Sequence, residues 1–123
     1  MKKTLTALFG LIAAPVFADA GIRGSDTILD GAGLAELLSG QVIEFFDGSK
    51  STYQANGRYG YTYTDDGPVW AGDYALGADG EVCVAFDNGS SRCDTFVMDG
   101  TRAILVTTDG VRFPVRNITV ATP

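Results

Sequence analysis

The chain has 123 residues, with nine Lys and Arg against fifteen Asp and Glu, a net charge of −6, two cysteines and no histidine. That length suits one domain with a modest core, and the acidic balance disfavours nucleic acid and anionic membrane surfaces as partners. Without an imidazole, the commonest general base, the Ser–His and Cys–His nucleophile pairs and histidine metal sites are excluded, and no cofactor is expected.

Residues 1–20 read as a secretory signal peptide: Lys2 and Lys3 lead a short apolar run from Leu5 to Phe17, and small residues follow. The run is shorter than the ~20 residues of a membrane span, and no other segment approaches that length, so no integral membrane segment is expected. Cleavage before Asp19 leaves seven basic against fifteen acidic residues, a net charge of −8. The leader looks bacterial, so the expected location is periplasmic or secreted, and residues 21–123 form the single mature domain.

Residues 19–29 carry small and polar side chains without periodicity and are expected to be a loose arm. Asp30 then caps a short helix over about 30–39, with Leu34, Leu37 and Leu38 on one stripe and Gly40 as its stop. Such a helix needs a surface to lie on, usually one open end of a sheet or barrel.

From Gln41 onward Asp-Gly or Asn-Gly recurs at Asp47, Asn56, Asp66, Asp79, Asn88, Asp99 and Asp109. These dipeptides are strong hairpin signals, and their spacing fits strands of five or six residues joined by tight turns. Seven turns join eight strands, placed near 41–46, 50–55, 58–64, 69–76, 81–86, 91–98, 102–107 and 111–120. The expected fold is all-β: a small eight-stranded antiparallel meander closing into a lipocalin-like up-and-down barrel, which removes exposed edges. A monomer is expected.

Three tyrosines, Tyr59, Tyr61 and Tyr63, alternate on the third strand, with Tyr53 close in sequence. They suit either a ligand or partner surface, together with Trp70, or a cross-strand aromatic ladder on the barrel wall; β-propensity alone favours the ladder. Trp70, Gly72, Tyr74 and Leu76 share a face of the fourth strand, making Trp70 the expected aromatic centre of the core. In the last strand Val111, Phe113 and Val115 alternate with Arg112, Pro114 and Arg116, and Pro114 places that strand beside an opening or a bulge.

Cys83 and Cys93 flank the turn at Asp87-Asn88-Gly89. A three-residue loop puts Phe86 opposite Ser90 and brings the cysteines face to face, close enough for a disulfide. A two-residue Asn88-Gly89 loop instead pairs Cys93 with Val84 and gathers Val82, Val84, Phe86, Cys93 and Val97 on one face. The hydrophobic pattern and the cysteine geometry therefore disagree, and the preference goes to the disulfide because a secreted chain with two cysteines most often pairs them. The pair reads as a structural clasp, since nine intervening residues exclude a Cys-x-x-Cys motif and soft ligands for zinc are too few.

Chemistry is sparse. The aspartates fall mostly in turns, where local hydrogen bonds explain them, so a carboxylate-based hydrolase is a minor alternative. Thr64-Asp65-Asp66-Gly67 lacks the ligand spacing of an EF-hand.

With leader, helix, Trp70 and the cysteine hairpin in view, the segments LAELLSG (34–40), YQANG (53–57) and GEVCVAFDNGSSRC (80–93) resemble small secreted β-proteins common in proteobacteria, a likeness that implies a compartment and no activity. Residues 35–41 and Trp70-Ala71-Gly72-Asp73 are similar to segments of periplasmic inhibitors of bacterial zinc metalloproteases, small eight-stranded barrels with one disulfide. That resemblance implies a contact made by residues 19–23, which would enter the protease cleft. The cysteines depart from the family pattern, which links more distant strands. The leading expectation is a non-enzymatic binding module for a small apolar ligand or an unknown protein, with metalloprotease inhibition as the alternative.

Overall fold

The computed structural model describes residues 20–122; the expected leader, apart from Ala20, lies outside the described residues. They form nine strands and one helix in the order β1 (Asp26–Ile28), α1 (Gly31–Leu38), β2 (Gln41–Phe45), β3 (Lys50–Tyr53), β4 (Arg58–Thr62), β5 (Trp70–Leu76), β6 (Glu81–Phe86), β7 (Ser91–Asp99), β8 (Arg102–Val106) and β9 (Arg112–Val120). Strands β2 to β9 pair in sequence order, and β2 also pairs with β9, closing an eight-stranded antiparallel barrel. All eight expected strands are present, each boundary within two residues of the turn-derived one.

The turn residues explain that agreement. Around residues 46–48, 55–57, 87–89 and 108–110 the same closure recurs, in which the residue before the loop donates its N–H to the carbonyl of the residue after it. The Asp or Asn at the centre of three of these loops also accepts the amide two residues on, Asp47 from Ser49, Asn56 from Arg58 and Asn88 from Ser90. Gly89, at φ 92°, supplies the left-handed residue that ends such a loop.

Closing 87–89 as a three-residue loop fixes the β6–β7 register, with Phe86 N–H donating to Ser90 O and Cys83 directly opposite Cys93. The cysteines are joined in a disulfide, their Cα atoms 4.0 Å apart. They point outward, while Val82, Val84 and Phe86 point inward. The same register turns Arg92 and Asp94 inward opposite Val84 and Val82, which is the apolar mismatch visible in the sequence. The barrel accommodates it because these two side chains pair with each other, at 2.8 and 2.9 Å, near an open end.

One end of the barrel is closed by α1. The Asp30 carboxylate accepts the Gly33 N–H, capping the helix, and Gly40 at φ 75° turns the chain into β2. Leu34 and Leu38 are fully buried against the barrel interior, whose centre is Tyr53 and Phe96. Trp70 is not that centre, because it is 45% exposed. It does face inward with Gly72, Tyr74 and Leu76, but it begins β5 and so stands at the opposite lip.

Residues 19–29 were expected to be loose, and the described part of this arm is instead held. Beyond the start of β6, the edge of β7 is free, and β1 occupies it, pairing Thr27 with Met98. Asp26 forms a two-pronged pair with Arg112 at 2.7 and 3.0 Å and accepts the Arg23 N–H, while Arg112 also donates to Gly21 O. Ile22 packs on a small outer cluster of Val97, Ile104 and Val106. Arm residues without periodicity are ordered here by one distant ion pair and an edge strand.

Pro114 lies beside a bulge, where β9 slips by one residue against Glu44 and Phe45. Its nearest β2 pairing ends at Val115, so the missing N–H falls where that partner strand has stopped. Among the described residues no helix is long and apolar enough to cross a membrane.

Candidate functional site

The end opposite α1 stays open. There the turns β2–β3, β4–β5, β6–β7 and β8–β9 surround a cavity of about 590 Å³ that reaches into the barrel. Tyr53, Tyr59, Tyr61, Tyr63 and Trp70 all line it. Period-two alternation puts the tyrosines on one face of their strands, and barrel closure makes that the inner face.

The five aromatics divide by depth. Tyr53 and Tyr59 form the buried floor, their ring centroids 5.1 Å apart in an edge-on arrangement, and Tyr59 OH lies 2.8 Å from Ser51 Oγ. Burial pushes the Tyr53 phenol well above its usual range, and it pushes Tyr59 up to about 12 against the opposing hydrogen bond from Ser51. These two are ladder residues, as β-propensity favoured. Tyr61 and Trp70 are directly opposed across β4 and β5, and Tyr61 and Tyr63 meet edge-on at 5.0 Å. Tyr63 is 65% exposed, and with Trp70, Val111 and Phe113 it leaves large apolar surface open at the lip.

No match comes from comparison with known proteins: no family model, curated protein or solved structure matches this chain.

Polar groups in the mouth were less legible. Arg92 and Asp94 stand inside because the register that pairs Cys83 with Cys93 sets them opposite Val84 and Val82. Asp94 is 11% exposed at its side chain while Arg92 is half exposed. Asp47 accepts both the N–H and Oγ of Ser49, which hold its carboxyl below the usual range. Asp109 is held low in the same way by the Thr107 hydroxyl. The wall is also incomplete: β7 pairs with β8 only from Thr95 onward, leaving a slot beside Arg92 bridged by the Thr108 hydroxyl on Cys93 O at 3.0 Å.

Two further features bear on chemistry. Glu81, Cys83 and Cys93 approach within 4.8 Å, but the disulfide consumes both sulfurs and a lone carboxylate is a poor metal site. The arm that the inhibitor resemblance would send into a protease cleft is fastened to the barrel at Gly21 and Asp26.

Proposed function

We propose that this protein is a periplasmic or secreted, non-enzymatic binding module whose barrel mouth takes a small ligand with an apolar chain or ring. The observation that carries this reading is the mouth itself, an aromatic-walled cavity of about 590 Å³ whose lip leaves Tyr63, Trp70, Val111 and Phe113 in water. Ligand sites fall at roughly 300–1,000 Å³ and are lined mostly by apolar and aromatic side chains with a few polar groups. The Cys83–Cys93 disulfide supports an oxidising compartment.

Trp70 is the chain's only tryptophan and stands at the lip, so its emission reports occupancy directly. Titration with the neutral aromatic dye N-phenyl-1-naphthylamine is expected to quench Trp70 with a one-site curve. Tyr61→Ala is expected to weaken binding by about tenfold, the factor equivalent to 1.4 kcal/mol of lost contact. A folded, disulfide-intact sample that binds no dye overturns the reading.

A further inference from the structure

We propose that the occupant of the mouth is an organic cation, an ammonium or quaternary ammonium group carrying an apolar chain or ring. This rests on the reading of the mouth as a ligand site and adds the sign of the ligand's charge. Among the described residues that line the cavity, the ionised groups are the carboxylates of Asp47, Asp94 and Asp109 and the guanidinium of Arg92.

These charges are not equally free. Arg92 is bound by both its Nε and Nη2 to Asp94, at 2.8 and 2.9 Å, so that pair largely cancels itself. Asp47 and Asp109 take hydrogen bonds from the neutral hydroxyl and amide donors of Ser49 and Thr107, and while Asp109 also feels the more distant Arg92 charge, no cation acts on Asp47. Hydrogen bonds from neutral donors favour the ionised carboxylate without neutralising it. The mouth therefore keeps a negative balance at neutral pH.

The aromatic wall adds to this in the same direction. A ring presents a negative face, and Trp and Tyr attract a cation within about 6 Å of the centroid. Tyr61, Tyr63 and Trp70 lie together on β4, the following loop and β5. A neutral ligand would gain only apolar contact. An anion would meet a guanidinium already occupied and carboxylates that repel it. A cation with an apolar tail gains from the wall and from the charge together.

The test is a charge series at constant chain length, octyltrimethylammonium, 1-octanol and octanesulfonate, each titrated against Trp70 emission of the full mature chain. The cation is expected to bind about tenfold tighter than octanol, and the sulfonate weakest. Raising salt from 0.01 to 1 M, which shortens the screening length from about 30 to 3 Å, is expected to narrow the cation's advantage. Asp47→Asn combined with Asp109→Asn is expected to bring the cation-to-octanol ratio down by about threefold or more. Should that variant fail to fold, the salt series on the unaltered protein decides. Octanol binding as tightly as the cation, or sulfonate binding best, overturns the charge assignment and leaves the apolar mouth standing; binding of none of the three overturns the mouth reading itself.

Discussion

Arg112→Ala is expected to release the N-terminal arm while leaving the barrel folded. Arg112 donates to Asp26 at 2.7 and 3.0 Å and to Gly21 O at 2.7 Å. The Asp26 side chain is shut off from water and that of Arg112 is 11% exposed. Breaking a buried pair by removing one partner costs about 3–5 kcal/mol, because the other charge is stranded. Here the cover is only the thin arm, and Asp26 regains water once the arm lifts. The loss is therefore capped by the free energy of docking the arm, and about 2–3 kcal/mol is expected.

The assay is a double-mutant cycle of Arg112→Ala and Asp26→Ala, read by urea denaturation and amide exchange. Each single variant should lose protection at Thr27 and Met98, which pair across β1 and β7, while the Tyr53 amide keeps its own. The coupling between the two variants should exceed about 1 kcal/mol. The pH dependence has a definite sign. Asp26 is lowered below 3.8 in the fold, chiefly by the Arg112 hydrogen bond, so its contribution is complete above that value and is lost as pH falls through the lower folded pKa. A coupling below about 0.5 kcal/mol, or arm protection unchanged by Arg112→Ala, would refute the claim that this pair holds the arm.

Replacing both cysteines with serine should cost about 2–3 kcal/mol, the loop entropy of a short closure, and far-UV circular dichroism should still show the barrel because the β6–β7 ladder remains; a loss of all β signal would count against the clasp reading. Tyr53 and Tyr59 should resist ionisation in a titration followed at 295 nm. Their phenols are raised from 10.0 by burial, Tyr59 to about 12, so the stability they hold below pH 10 is lost as pH rises through that window; five tyrosines titrating together near 10 would contradict their burial. Gly72→Ala should destabilise by about 1–3 kcal/mol in thermal unfolding. An added Cβ there would run into Ala85 O and lie 2.9 Å from Phe86 Cα, so an unchanged midpoint would mean that β5 and β6 are not packed this closely.

Much of the architecture is local and therefore legible. The repeated Asp-Gly and Asn-Gly turns set the bounds of eight strands, because four of the loops close on the same backbone hydrogen bond and three of those also on an Asp or Asn side chain that accepts the amide two residues on. The helix was equally local: Asp30 caps it, the leucines face one way and Gly40 ends it. The disulfide register followed from counting across one turn. All five aromatics considered as a surface line one cavity; strand alternation accounts for the shared face of Tyr59 and Tyr61 within β4, while cross-strand pairing brings Tyr53 and Trp70 to it.

Other features depend on the stagger of the closed barrel, which no single strand contains. Trp70 has the composition of a core residue, yet its position at the start of β5 leaves it at the lip, and Tyr53 and Phe96 fill the centre instead. Arg92 and Asp94 break the apolar pattern of β7, and only their height near the open end makes an inward ion pair tolerable. The arm carries no periodic signal because its hold is an Arg 86 positions away. By itself the sequence determined the turns, the strands and the faces they present, since these are interactions between near neighbours. Only the tertiary structure decided which residues stand at the mouth, how the charges there cancel and where the arm lies, because those depend on closure and on partners far along the chain.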